Sequence, residues 1–297
     1  MKNAHVIDEA RLGIMLNELR LPTIKTLWPQ FAEQADREGW PAARFLSAIA
    51  EHELAERANR RIERHLAEAH LPPGKTLDSF AFDAVPMISK AQVMAITAGD
   101  SWLAKGANIL MFGPPGGGKS HLAAAIGLAL IENGWRVLFT RTTDLVQKLQ
   151  VARRDLQLES AIDKLNNYDL LIHDEHAYVT KDQAETSVLF ELISARYEHR
   201  SILITANQPF GEWNRVFPDP AMTLAAVDRL VHHATIFEMN VESYRRRTAL
   251  EEKRQRGRPA SFATIRTSTL SVAERQSEND EELVSGNQHD NLIPTAT

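Results

Sequence analysis

The stretch GPPGGGKS, Gly113 to Ser120, constrains the fold more than any other part of the chain. It matches the pattern G-x-x-x-x-G-K-[S/T] and lies between the apolar run NILMF and the helical run HLAAAIGLALIENG. In such a strand–loop–helix setting, backbone N–H groups surround a polyphosphate at the start of a helix. The motif therefore predicts a nucleotide-binding core rather than a flexible turn.

The residues of this loop have separate expected tasks. Lys119 is expected to bridge the β- and γ-phosphates of ATP, and Ser120 to hold Mg²⁺. The candidate nucleotide contacts in the loop are Gly113, Pro114, Pro115, Gly116, Gly117, Gly118, Lys119, Ser120 and His121.

Short apolar runs alternate with helical stretches from Met87 to about Arg247. The runs are ANILMFG, WRVLFT, DLLIHDE, SILITAN and ATIFEM. Unbroken apolar runs of this length are typical of strands that are buried on both faces of a parallel sheet. The predicted fold class is α/β, a P-loop core whose parallel sheet is flanked by helices.

The region before this core has helical periodicity, with apolar residues such as Leu12, Leu16 and Leu19 at spacings of three and four. The pairs Leu21-Pro22, Trp28-Pro29 and Trp40-Pro41 predict that it is divided into several short helices, because proline disfavours helical backbone in the residue before it. We therefore predict a small all-α domain in front of the core.

Changes of composition suggest four segments. Residues 1–70 are the helical domain, and the Pro- and Gly-containing residues 71–86 are a linker. Residues 87–250 are the ATPase domain. Residues 251–297 are first basic and then acidic with few large apolar side chains, which predicts a disordered tail.

The stretch DLLIHDEHAYV, Asp169 to Val179, has three interpretations. Its histidines and carboxylates resemble a metal site, the letters D-E-H-A resemble a helicase box, and the apolar run before Asp174 resembles an acidic strand end. His173 and His176 face the same way only on a helix, whereas the apolar run predicts a strand. One nucleotide core fills most of the chain, which disfavours a two-core helicase.

The strand-end interpretation agrees with the phosphate loop. Such enzymes need a carboxylate at the end of a neighbouring strand to order the magnesium shell, and a group beside it that polarises water. Asp174 fits the first role and Glu175 the second.

The chain resembles the IstB family of AAA+ ATPases, which are encoded beside the transposase in one class of bacterial insertion sequences. The resemblance runs over roughly residues 8–250, including LRLPTIKTLWPQF, LPPGKTLDSFAFD and the long run from KDQAETSVLFELISARYEHR to VESYRRR. The chain differs from the family at Asp174-Glu175-His176-Ala177, where family members usually have two aspartates, an apolar residue and glycine. Glutamate at the second position is the commoner AAA+ catalytic residue, which favours hydrolysis.

The resemblance implies further site residues. Asn207 resembles the AAA+ polar sensor, although a strand-end asparagine also caps turns. Arg229 resembles an arginine finger that reaches a neighbouring subunit's nucleotide, and a local ion pair is the alternative. Arg245 is a candidate second sensor. Phe80 and Phe82 are candidates for an adenine pocket or for core packing.

An arginine finger that acts in trans implies a homo-oligomer, a ring or spiral with ATP at its subunit interfaces. Such an assembly can line weak basic contacts along double-stranded DNA. Another basic stretch, Arg245 to Arg258, holds six arginines and one lysine against two glutamates. Each basic patch could equally be a solvated surface. The candidate DNA contacts on predicted helices are Arg57, Arg60, Arg61, Arg64, Lys148, Arg153 and Arg154.

The resemblance implies an ATP- and Mg²⁺-dependent helper that presents duplex DNA to a cognate transposase, with hydrolysis resetting the complex. The alternatives are a DnaC-type helicase loader and a DNA scaffold with negligible turnover. The sequence contains no set of spaced carboxylates of the kind that nuclease or strand-transfer sites use.

A net charge of −5 argues against a surface that is basic overall, and the absence of cysteine excludes thiolate chemistry. With no long apolar run and no signal-peptide pattern, we expect a cytoplasmic bacterial protein without membrane contact.

Overall fold

The predicted apolar runs form one parallel sheet in a computed structural model of the chain, which describes residues 2–175, 183–208 and 219–241. The strands are β1 (Ile109–Phe112), β2 (Val137–Arg141), β3 (Leu170–Asp174), β4 (Ser201–Ala206) and β5 (Thr235–Glu238). Neighbouring strands are parallel in the order β2-β3-β4-β1-β5, which confirms the predicted α/β class.

Helices cover both faces of the sheet, so the central strands β1, β3 and β4 are buried along their whole length. The helices of the core are α4 (Lys90–Thr97), α5 (Lys119–Glu132), α6 (Thr142–Arg154), α7 (Leu158–Asn166), α8 (Gln183–Arg196) and α9 (Pro220–Val231). Neighbouring residues of β1 pack on opposite faces of the sheet: Ile109 packs with α5, and Leu110 packs with α8 and α9.

Three helices precede the core: α1 (Lys2–Glu18), α2 (Pro22–Glu38) and α3 (Ala42–Ala69). The predicted breaks at Pro22 and Pro41 are confirmed, but the break at Trp28-Pro29 is wrong, because Pro29 lies inside α2. Pro29 and Lys25 are both exposed, so water can bind the Lys25 carbonyl that loses its helical donor. The helices are therefore longer than the proline pattern predicts.

Glu68, near the end of α3, binds Arg136 in the loop before β2. Arg136 donates two hydrogen bonds to the Glu68 carboxylate, from Nε at 3.0 Å and Nη2 at 2.7 Å, and its guanidinium stacks on Tyr168. Phe80 and Val85, within the segment predicted as a linker, are buried in the core beneath α5. The four domain boundaries themselves stay predictions. Over the described ranges, no helix is long and apolar enough to cross a membrane.

Candidate functional site

The loop after β1 joins the sheet to the start of α5 in a conformation that its glycines permit. Gly113 has φ +148° and Gly118 has φ +95°, both in the left-handed region that side chains disfavour. A Cβ atom on Gly118 would lie 3.1 Å from the ring of Phe80. The glycines therefore allow the loop to pack closely while its N–H groups remain at the positive end of the α5 dipole.

Lys119 lies at the start of α5 and is only 6% exposed. Its Nζ donates to the carbonyl oxygens of Gly113 at 2.6 Å and Pro114 at 2.9 Å. These bonds hold the ammonium against the loop that would bind phosphate. The position fits the task expected of this lysine, which is to neutralise phosphate oxygens at the helix terminus.

The carboxylate of Asp174 lies beside Ser120, as expected for the carboxyl edge of a parallel sheet. Ser120 Oγ donates to Asp174 Oδ1 at 2.7 Å, and Asp174 is only 7% exposed. A hydroxyl and a carboxylate oxygen in contact at the phosphate loop form an oxygen donor set that suits Mg²⁺, which usually keeps water as its other ligands. The pair therefore fits the expected magnesium site.

Thr205 in β4 belongs to this site and was missed by sequence reasoning. Its Oγ1 donates to Asp174 Oδ1 at 2.5 Å and accepts from the Glu175 N–H at 3.1 Å, while Thr205 is only 1% exposed. Glu175 has φ +58°, so the chain turns sharply at this point. The Thr205 hydroxyl thus connects both carboxylate-bearing residues to the next strand. A threonine in SILITAN carries no motif, and only the β3–β4 register reveals its role.

Replacing Thr205 with valine should lower ATP hydrolysis more than ATP binding, since the shape is kept while the hydroxyl is lost. Losing both hydrogen bonds should also destabilise the fold by about 1–3 kcal/mol. Steady-state kinetics and urea unfolding measure the two effects. Thr205→Ser is the matched control, because it keeps the hydroxyl and should retain most of the activity. Equal hydrolysis by the valine and serine variants would show that the hydroxyl does not position the site.

His121, the last predicted contact of the loop, packs against the segment that follows α3. Its Nε2 lies 3.1 Å from both the Thr76 carbonyl oxygen and Ser79 Oγ, and its ring meets Phe80 edge-on. Burial lowers the pKa of His121, with a further lowering from Lys75 against a raising by the Thr76 hydrogen bond. His121 therefore holds the Thr76–Phe80 segment over the phosphate loop. Phe80 lies in the core and also against the loop, next to Phe82.

The predicted sensor and finger lie on different elements. Asn207 directly follows β4, at the same sheet edge as Asp174, and is partly buried. Arg229 lies near the end of α9, where it bonds the Ala225 carbonyl at 3.0 Å and stacks on Phe190. Arg245, the other predicted sensor, lies outside the described residues.

His173 is a core residue. It is fully buried in β3, and burial, with a smaller effect of the Arg196 charge, lowers its pKa to about 3. The imidazole is therefore neutral at physiological pH. Its predicted companion His176 lies outside the described residues.

Two of the four predicted DNA-contacting arginines of α3, Arg57 and Arg60, bind protein groups. Glu53 is buried and accepts bonds from Arg57 Nε at 2.9 Å and Arg60 Nη2 at 3.4 Å, as well as from the first N–H groups of α2. Both arginine side chains remain about half exposed. These two arginines join the N-terminal helices, a role that sequence reasoning did not identify. Arg61 lies beside Gly134, and Arg64 is exposed.

The predicted contacts of α6 are more accessible. Lys148 and Arg154 are exposed, whereas Arg153 pairs with Glu191 at 3.2 Å. Lys148 also lines a groove of about 710 Å³ beside the edge strand β2, together with Arg141 and Lys164. These three positively charged side chains all line the groove. The basic stretch from Arg245 to Arg258 lies outside the described residues.

Comparisons with known proteins agree with this geometry. A family described as IstB-like ATP binding protein matches residues 14–252. The insertion sequence ATP-binding protein y4iQ/y4nD/y4sD of Sinorhizobium fredii is 88% identical over 100% of both chains. The insertion sequence IS5376 ATP-binding protein of Geobacillus stearothermophilus is 35% identical over 83% of this chain and 98% of its own.

The fold likeness extends to solved structures. A crystal structure of a DNA replication initiation factor superposes with a TM-score of 0.51 at 16% identity, covering 64% of this chain and 57% of the other. At this identity the likeness shows the fold alone, a parallel sheet flanked by helices.

Proposed function

The chain belongs to the IstB-like family of ATP-binding proteins, and we propose that it is an ATP-hydrolysing transposition helper that assembles on duplex DNA. It is an ATP-binding protein with an AAA+ core. The observation that carries the proposal is the contact between Ser120 and Asp174 at the phosphate loop, in a chain whose relatives are insertion-sequence ATP-binding proteins. The duplex DNA would be presented to a partner transposase.

The proposed reaction is attack of water on the γ-phosphorus of ATP. A new P–O bond forms as the bond to the β–γ bridging oxygen breaks, which yields ADP and phosphate. Lys119 and the loop N–H groups would bind the phosphate oxygens, and Glu175 would accept the proton of the attacking water, which Asn207 would orient. Ser120 and Asp174 would hold Mg²⁺, which neutralises phosphate charge when it is bound.

Arg229 would complete the site of a neighbouring subunit. An arginine supplied in trans stabilises the charge of the transferring phosphoryl group, so activity would require a homo-oligomer with ATP at its interfaces. The half-buried position of Arg229 near the end of α9 supports this role, since part of its side chain is accessible to a neighbour.

DNA binding would depend mainly on phosphate contacts. The groove beside β2 and the exposed Lys148 and Arg154 place cations on one part of the core, while no motif for reading base edges occurs in the sequence. Repetition of the patch along an oligomer would make up for the modest positive charge of each chain. Binding should therefore depend weakly on sequence and steeply on salt.

Replacing Lys148 and Arg154 with alanine should weaken duplex DNA binding for all sequences alike. Each lost phosphate contact should reduce the log–log salt slope of the binding constant by about 1. Fluorescence anisotropy over a range of salt concentrations measures both effects. Lys25→Ala, which removes an exposed cation of α2, is the control and should leave the slope unchanged. An unchanged slope in the double variant would exclude this patch as a DNA contact.

The alternative function, a helicase loader of the DnaC type, would use the same ATP-binding core. It predicts capture of a hexameric helicase and preference for single-stranded DNA. A pull-down against the cognate transposase and the replicative helicase, paired with ATP-dependent binding to duplex and single-stranded DNA, separates the two functions. Transposase capture with duplex preference supports the transposition helper. Helicase capture with single-strand preference would refute it.

A further inference from the structure

Two exposed turns bring a carboxylate and two imidazoles together at the sheet edge opposite to the phosphate loop. Glu198 lies in the turn between α8 and β4, and His232 and His233 lie between α9 and β5. One ligand atom from each of the three residues lies within 4.8 Å of the others. The turns precede their strands, whereas Ser120 and Asp174 lie where strands end. This cluster is therefore separate from the nucleotide site.

The backbones that carry the cluster are held by the segment before β1. A Cβ atom on Gly106 would lie 2.8 Å from the Glu198 carbonyl carbon, so the first turn packs tightly on this glycine. The buried Asn108 bonds the Leu230 carbonyl through Nδ2 at 3.0 Å and the Ile202 N–H through Oδ1 at 2.9 Å. The segment before β1 thus packs on the first turn and binds the helix before the second turn and the strand after the first. These contacts reduce the ordering that ligand binding would require.

The side chains of the cluster already contact one another. His232 Nδ1 lies 3.7 Å from Glu198 Oε1 and 2.8 Å from the Tyr197 hydroxyl. The rings of His232 and His233 have their centroids 3.9 Å apart. Glu198 and His233 both have left-handed φ values, +60° and +65°, which are uncommon for residues with side chains. Both turns therefore have uncommon backbone conformations at residues whose ligand atoms lie within 4.8 Å of one another.

We propose that Glu198, His232 and His233 form a binding site for a divalent transition metal ion, Zn²⁺. Two imidazole nitrogens and one carboxylate oxygen are a donor set that zinc binds, and water would supply the fourth ligand of a tetrahedron. The ion would join the turn before β4 to the turn before β5, the two strands that flank β1. It would also fix the end of α9, where His232 is the C-cap.

The test is a zinc titration of the full chain, purified without a histidine tag and without nucleotide, followed by calorimetry. Cobalt substitution reports the geometry through the visible absorption of tetrahedral Co²⁺. We expect one Zn²⁺ per chain and a zinc-dependent rise of the melting temperature, because a ligand of the folded state stabilises it. Glu198→Gln, His232→Ala and His233→Ala should each weaken zinc binding more than about tenfold.

His199→Ala is the matched control, because it removes an exposed histidine from the same turn as Glu198. It should bind zinc as the unsubstituted chain does. All four substitutions change exposed side chains, so melting temperatures without zinc should stay close to the unsubstituted value and confirm folding. The absence of zinc binding by the unsubstituted chain would overturn the proposal. Zinc affinity in Glu198→Gln and in a His232→Ala/His233→Ala double variant that equals the affinity of the unsubstituted chain would also overturn it.

Discussion

Glu175→Gln is expected to reduce ATP hydrolysis by about 10²–10⁴-fold, the usual contribution of a positioned general base. The amide keeps the size of the side chain but cannot accept the proton of the attacking water. The Glu175 backbone N–H should still bond Thr205, since the substitution leaves the backbone in place. ATP affinity and ATP-dependent DNA binding should therefore remain. Phosphate release and binding of a fluorescent ATP analogue measure the two properties separately.

Two further variants are the controls for the hydrolysis rate of Glu175→Gln. Glu159→Gln changes an exposed carboxylate of α7 and should leave the rate unchanged. Lys119→Ala removes the ammonium at the loop and should lose ATP binding as well as hydrolysis. If Glu175→Gln hydrolyses ATP at the unsubstituted rate, Glu175 is not the group that activates water.

Arg229→Ala is expected to reduce hydrolysis by about 10³–10⁵-fold, as when an arginine finger is withdrawn from a phosphoryl-transfer site. ATP binding to the single chain should persist, because the arginine would act on a neighbour's nucleotide. Mixing Arg229→Ala with Glu175→Gln should restore part of the activity. In such a mixture, some interfaces combine an intact Glu175 of one subunit with an intact Arg229 of the next.

The mixture distinguishes a role in trans from a local one. Arg229 also stacks on Phe190 and bonds the Ala225 carbonyl, so alanine could lower stability through lost packing. Melting temperatures separate that effect, and Leu224→Ala, at an exposed position of the same helix, is the control. If the mixed variants are no more active than either variant alone, Arg229 does not act across an interface.

Local sequence was sufficient for the sheet and for part of the site. Apolar runs such as ANILMFG and DLLIHDE are typical of strands that helices cover on both faces, and they located the strands correctly. The phosphate loop combines glycines with a lysine and a serine at fixed spacing, and Asp174 ends an apolar run. Each of these signals lies within a few residues along the chain.

The roles that sequence reasoning missed depend on contacts between distant residues. Thr205 meets Asp174 only because β3 and β4 pair in one particular register. Arg57 and Arg60 resembled a free basic face until the fold placed the buried Glu53 beside them. The helix break at Pro29 was predicted wrongly because solvent exposure, which the local sequence does not reveal, makes the lost hydrogen bond tolerable there.

The proposed function is tested most directly by counting the insertions that the cognate transposase makes into a duplex target. Insertion should be strongly stimulated when this protein and ATP are both present, and Lys119→Ala should give no stimulation. The same insertion frequency without the protein, or with the protein in the absence of ATP, would contradict an ATP-dependent transposition helper.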